Sequence, residues 1–484
     1  MASFLERYHE RTKYDPRTLD KVGGVDWAAR PQPWKDISGS EREDIRPHLT
    51  FLESLQEGNA AEWASPEPGR LDLAALARLS WFAAGVSGVA GDQSDPHLFR
   101  TTPSAGGLYP VELYWIVLDV DGLEPGIWHF HSPGFSLIPV WKGTFLAEAR
   151  SILLDYPLAP GTNAIAVLTG IFSRGSWRYG ERAYRRVLLD AGHLAGNLLA
   201  ATEREGLEAV PLSGFRDQAL SDLLFPDSDE VPLLMLPVGG SQVADWPRSW
   251  RSPCPPPSSI PQDISPGRMQ EVAHALGNLE DDFERPRSLP APSPVADGFH
   301  PPGSAPPTGL LRASVERRSC RAFKDGPIPM EKFSSLLSWG AVPRQQKLSP
   351  PGLLRTWIVA LSVEGLAPGV HRLHEDLALE LVRGASLREE CRAFGLGQDL
   401  AADAGFLVVH SAPLAEAVAL LGERAYRPLC MDAGHHGERL NIAAEALGLG
   451  SSGIGGYFDD LVNETLGLDL AEAVLYVTAV GTPA

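Results

Sequence analysis

The sequence predicts an α+β fold carried twice in one chain, and three observations point there. "ERAYRRVLLDAGHLAGNLLAATEREGLEAVPLSGF" from Glu181 and "ERAYRPLCMDAGHHGERLNIAAEALGLGSSGIGGY" from Glu423 align without a gap, 242 residues apart. A match of that length marks an internal duplication. Long helical patterns alternate irregularly with short apolar strands, which suits α+β layers better than a doubly wound parallel sheet. The 484 residues are too many for one typical core. The middle, "SPCPPPSSIPQDISPG" and "ERPRSLPAPSPVADGFHPPGSAPPTG", is dense in proline, which interrupts helices and ladders. Domains are therefore expected at 1–245 and 310–484, with 246–309 as linker and a short helix over "RMQEVAHALGNLEDDF" within it.

Taken in order, "LARLSW" ending at Trp81 resembles "SSLLSW" ending at Trp339. "WIVLDVDGLEPGIWHFH" from Trp115 answers "WIVALSVEGLAPGVHRLH" from Trp357 with one inserted residue. The apolar, β-branched runs "ELYWIVLDV", "AIAVLTGIF" and "VPLLMLPVG" predict strands in the first half, as "TWIVALSV", "AGFLVVHSA" and "AVLYVTAVG" do in the second. Between them a helix puts Val187, Ala191, Leu194, Ala195 and Leu198 on one stripe, with Gly206 closing it.

Composition narrows the function. A net charge of −19 repels nucleic acid and anionic membrane, so neither is an expected partner. The substrate is expected to be neutral or cationic, or held by a local basic patch. The N-terminus lacks an apolar secretory core and the four cysteines form no disulfide framework, so the expected compartment is the cytoplasm. No metal site is expected, since the histidines lack a partner cluster.

Four stretches could carry chemistry. The turn Pro103-Ser104-Ala105-Gly106-Gly107 is either an ordinary loop into a strand or a small-residue wall whose N–H groups and Ser104 hydroxyl approach a ligand. Arg317, Arg318, Ser319 and Arg321 are either a solvated basic helix end or a phosphate grip. "GSSGIGGY", holding Gly453, Ile454, Gly455 and Gly456, is either a flexible turn after a helix or a close approach to a ring system. Tyr179 could handle a proton beside Arg178. The second copy has Leu420 and Leu421 at those two places, so the fold does not need the pair.

Together "RTTPSAGGLYPVELY", "WRYGERAYRRVLLDAGH" and "RRSCRAF" resemble the nitroreductase superfamily, and more narrowly its SagB-type, azoline-oxidase branch. The resemblance implies α+β domains, each an antiparallel-rich sheet flanked by helices, that work as a dimer with FMN at the interface. It also implies that the arginine segment grips the flavin phosphate and ribityl chain. The small-residue turn of the other copy lies against the same flavin, and the glycine-rich segment nears the ring edge. Here only the first half keeps the turn and only the second keeps the arginines. "NAAEW" stands where the first half would carry arginines, and "RQQKLSPPGLLRTWIV", two residues shorter, replaces the turn in the second. The expectation is an intrachain pseudo-dimer with one FMN site and an empty counterpart. The azoline oxidases carry Lys-Tyr where this chain has Arg178-Tyr179, which leaves Tyr179 as the proton-handling group. The implied activity is oxidation of a peptide-borne azoline to an azole. The alternatives are NAD(P)H-dependent reduction of nitro compounds or quinones, and a flavin-free structural role in a peptide-modifying complex.

Overall fold

The computed structural model describes residues 2–17, 19, 25–37, 41–52, 69, 71–91, 97–224, 229–240, 272, 275–276, 298–302 and 307–484. The chain forms two units, Trp27–Phe283 (the first unit) and Met1–Asp26 with Glu284–Ala484 (the second). The N-terminal segment thus belongs with the C-terminal half, whereas the expected first domain, 1–245, included it. The reason lies in polar and aromatic contacts that charge and spacing do not reveal. Helix α1 (Phe4–Arg11) is closed by a capping box between Ser3 and Glu6. Its Phe4 and Leu5 N–H groups donate to the Glu423 carboxylate at 2.9 and 2.7 Å. Tyr8 meets Tyr426 edge-on, and Lys13 pairs with Asp460 at 2.8 Å. Most of the expected linker and its helix, and "NAAEW", lie outside the described residues.

The first unit runs β1 (Glu43–Asp44), α2 (Leu73–Ala84), β2 (Val86–Ala90), β3 (His97–Arg100), β4 (Val111–Val117), β5 (Gly126–His131), β6 (Ser136–Lys142), α3 (Leu146–Ile152), β7 (Thr162–Ile171), α4 (Phe172–Tyr179), α5 (Ala183–Arg204), β8 (Glu208–Ala209), α6 (Asp217–Leu224) and β9 (Glu230–Gly239). Its main sheet has the order β1-β6-β5-β4-β7-β9-β8 and is antiparallel throughout. One face buries Tyr114, Ile116, Ile165, Val167 and Met235. The other faces α2, where Trp115 Nε1 donates to Ser80 Oγ at 2.9 Å.

The second unit continues with α7 (Leu310–Glu316), β10 (Phe323–Lys324), α8 (Met330–Gly340), β11 (Arg355–Ala360), β12 (Gly369–Leu373), β13 (Leu379–Gly384), α9 (Arg388–Phe394), α10 (Asp399–Ala402), β14 (Phe406–Pro413), α11 (Leu414–Leu421), α12 (Tyr426–Ala446), β15 (Gly450–Ile454), α13 (Asp459–Leu466) and β16 (Glu472–Pro483). Its sheet order is β10-β16-β14-β11-β12-β13, with β15 on β16. The shared core β6-β5-β4-β7-β9-β8 recurs as β13-β12-β11-β14-β16-β15, so the duplicated sequence folds into a duplicated topology.

One strand departs from the sequence alignment. Val167 pairs with Met235 and Val409 with Val477, which keeps the 242-residue spacing. Trp115 pairs with Ala166, yet the counterpart of Ala166, Val408, pairs with Ile358 rather than Trp357. Strand β11 is therefore shifted by one residue against the letter match, and Ile358 rather than Trp357 stands at the place of Trp115. A one-residue slip turns a strand's side chains to the opposite faces. Trp357 accordingly packs with Val359, Leu407 and Val409, the face equivalent to that of Tyr114. Its Nε1 donates to Ser411 Oγ at 2.9 Å.

Candidate functional site

In the first unit the turn that precedes β4 is tied to the long helix α5. Ser104 Oγ donates to Asp190 Oδ2 at 2.6 Å and accepts from the Tyr109 N–H at 2.9 Å. The Ala105 N–H donates to Asp190 Oδ1 at 3.4 Å. The Ser104 hydroxyl, expected to face a ligand, is committed to holding the turn. Gly106 and Gly107 have φ of 67° and 63°, where a side chain is strained. Tyr109 also has a positive φ, 42°. An ordinary residue stays in that region only when its surroundings over-determine it. Here the Arg100 N–H donates to Tyr109 Oη at 3.1 Å, and Arg174 Nη1 donates to the Tyr109 carbonyl at 2.9 Å. Arg174 is itself fixed by Glu112 at 2.6 Å, and Glu112 by His129 at 3.0 Å. Burial would push the Glu112 carboxyl up, but Arg174, His129 and Arg100 hold it well below the usual range.

This clamp sets the turn against the Arg178-Tyr179 pair at the end of α4. A methyl group at Gly106 would stand 2.8 Å from Tyr179 Oη and 3.4 Å from Arg178 Cδ. The Arg178 and Arg186 guanidiniums lie 5.7 and 4.9 Å from the centroid of the Tyr179 ring. Arg186 is buried and its Nε has no hydrogen-bond partner. Burial raises the Asp190 carboxyl to about 7, against the opposing pull of Ser104, the Ala105 N–H and Arg186. Asp190 and Arg186 escaped the sequence reading. Arg186 carried a signal, because the second copy has Pro428 in its place and so lost it together with Arg178 and Tyr179. Asp190 sits in the repeated DAGH motif, whose His193 Nδ1 lies 2.6 Å from the Leu189 carbonyl.

In the second unit the arginine and glycine segments meet. The Cys320 N–H donates to the Ser451 carbonyl at 2.8 Å, and a methyl at Gly450 would lie 2.7 Å from Cys320 Sγ. The glycine segment is part strand and part loop: Gly453 and Ile454 belong to β15, paired with Thr478 and Val477, and Gly455 and Gly456 lie in the loop that follows. Neither Gly453, Gly455 nor Gly456 has a positive φ. Gly453 is required because any Cβ would clash with Tyr476 Oη, and one at Gly456 would stand 2.6 Å from Leu396. Of the arginines, Arg318 and Arg321 are exposed and Ser319 is half-buried. Arg317 is 5% exposed with its Nε unpartnered, near the buried Glu438, which burial raises to about 7 against the opposing pull of Arg317. A buried, unfilled guanidinium donor flanked by two exposed arginines and a hydroxyl is a donor set that fits a phosphate. The place of the turn is taken by the 344–354 segment, where Ser349 repeats the clamp. The Leu348 and Ser349 N–H groups donate to Asp432 at 2.9 and 2.8 Å, and Ser349 Oγ at 2.5 Å. The serine–aspartate clamp is therefore common to both halves, and the Ala-Gly-Gly beside it is particular to the first. Among the described residues no group of three His, Cys, Asp or Glu could hold a metal, and no helix is long and apolar enough to cross a membrane.

The sequence model described as "Nitroreductase family" matches residues 65–240 and 315–482. The protein of Methanocaldococcus jannaschii named "Putative nitroreductase MJ1384" is 31% identical over 172 residues, which is 35% of this chain and 81% of that protein. The crystal structure of a "putative nitroreductase" from Anabaena variabilis ATCC 29413 superimposes with a TM-score of 0.82 at 30% identity, covering 100% of both chains.

Proposed function

The chain belongs to the nitroreductase family of oxidoreductases, and from that premise we propose that it binds one FMN and oxidises a peptide-borne azoline to an azole. The observation that carries the reading is the convergence, in the first unit, of the Gly106 turn with Tyr179, Arg178 and Arg186. Members of the family bind FMN, and the partnerless Arg317 Nε with Ser319, Arg318 and Arg321 suits its phosphate. The complementary losses in the two repeats support a single flavin drawing on motifs of both halves, the intrachain pseudo-dimer. The resemblance of "RTTPSAGGLYPVELY" to the SagB-type branch supports the peptide substrate.

Bound FMN would supply two-electron acceptance for the hydride lost from the azoline carbon. The chain's own residues do the rest. Gly106 and Gly107 let the turn come close to a flat ring. Tyr179, or a water it orders, assists removal of the accompanying substrate proton, with the Arg178 and Arg186 guanidiniums beside its ring. A guanidinium is a poor general base, so the proton is assigned to Tyr179 rather than to Arg178.

Flavin content tests the site. One FMN per chain is expected, with Arg318→Ala and Gly106→Trp each abolishing it; two per chain, or retention in Gly106→Trp, overturns the single site. Stopped-flow flavin reduction tests the reaction. Rapid reduction by an azoline peptide is expected, and rapid reduction by NAD(P)H alone would favour nitro or quinone reduction instead.

A further inference from the structure

We propose that the second unit holds a separate binding site for a small monocarboxylate with an apolar body, in the cavity beneath the 347–354 segment. The cavity measures about 150 Å³ and is walled by Pro350, Pro351, Leu354, Leu373 and Leu377. That is well below the roughly 300–1,000 Å³ of pockets for drug-sized ligands, so its occupant is small.

The first unit seals the equivalent place. There Glu112 pairs with both His129 and Arg174, and Leu168 and Leu194 are buried. The corrected register of β11 puts Arg355 and Arg372 at the positions of Glu112 and His129. The repeat puts His410 and His436 at those of the two leucines. The second unit has thus exchanged a closed carboxylate network for cations and imidazoles around a cavity.

These groups keep unfilled donors. Arg355 Nη1 pairs with Glu472 at 2.7 Å, but its Nε is buried without a partner. Arg372 lies 5.9 Å over the Trp357 ring and has no ion pair among the described residues. His436 Nδ1 meets His410 Nε2 at 2.7 Å, while its own Nε2, in a residue 7% exposed, has no partner. With His410 donating, His436 Nε2 carries its proton and is a neutral donor on a residue that lines the cavity. Burial depresses both imidazoles, His410 to about 3, so neither adds charge near neutral pH. Asp432 and Glu375 also line the cavity, and Glu375 lies 3.8 Å from Lys347. Lys347, Arg355 and Arg372 are thus set against Asp432, Glu375 and the Glu472 partner of Arg355, which matches a single negative charge better than a phosphate dianion. The apolar walls match the body of a short or aromatic acid.

Titration calorimetry of the full chain with propionate, isobutyrate and benzoate, and with benzamide as the uncharged control, tests the proposal. At least one acid is expected to bind saturably and benzamide not to bind. His436→Leu, the residue the first unit carries there, and Arg372→Gln, at a half-buried unpaired side chain, are each expected to weaken binding tenfold or more. Circular dichroism and FMN content report that both variants remain folded. Absence of saturable binding by all three acids, equal binding of benzamide, or unchanged affinity in both folded variants overturns the proposal.

Discussion

Replacing Asp190 with asparagine should change the pH dependence of stability in a defined direction. Burial lifts the Asp190 carboxyl from an ordinary 3.8 to about 7, although Ser104, the Ala105 N–H and Arg186 all pull the other way. In the unfolded chain the group titrates at its ordinary value. Between roughly pH 4 and 7 the folded protein therefore holds a proton that the unfolded chain has released. The stabilisation is complete below about pH 4 and is lost as the pH rises through about 7. At 1.36 kcal/mol per pH unit, the gap of about three units corresponds to about 4 kcal/mol. Asparagine cannot ionise, while its amide oxygen still accepts from Ser104. The stability of Asp190→Asn relative to wild type should thus rise by up to about 4 kcal/mol from pH 4 to pH 8. Urea unfolding of both proteins, followed by tryptophan fluorescence at several pH values, measures the difference. Parallel stability curves would refute the buried clamp as the origin of the effect.

Gly106→Ala should cost about 1–2 kcal/mol, because φ is 67° and the new methyl meets Tyr179 Oη; thermal melting measures the loss, and flavin reduction should slow with it. Lys35 and Glu230 form a buried ion pair at 2.8 Å. Lys35→Met should cost about 3–5 kcal/mol by stranding the carboxylate, and adding Glu230→Gln should recover most of it in urea unfolding. Gly453→Ala should destabilise the second unit by about 1–3 kcal/mol through overpacking against Tyr476. Tyr476→Phe, which removes the Oη that the methyl meets, should suppress that loss in the double variant, as read by melting temperature.

Local patterns made much of the fold legible. The apolar runs became β4, β7, β9, β11, β14 and β16, and the DAGH repeats became α5 and α12. The sheet edges were less legible. "GSSGI" reads as a glycine-rich turn and is β15, because pairing with β16 and the pressure of Tyr476 on Gly453 come from residues about 25 positions on. In the candidate site, Tyr179 and the Gly106 turn could be read from composition and from loss in one copy. Their juxtaposition with Asp190 and Arg186 could not, since it depends on contacts across the sheet and the long helix.

By itself the sequence determined that the chain is a duplicated α+β protein and which chemical groups each copy keeps or loses, because repeats and side-chain identities survive in one dimension. The tertiary structure decided which face each strand presents and which groups meet. Trp115 and Trp357 align letter for letter and still point to opposite faces of their sheets. The side-chain period of a strand is two, so a one-residue shift of β11 against the letter match reverses the strand, and only its pairing with the partner strands records that shift.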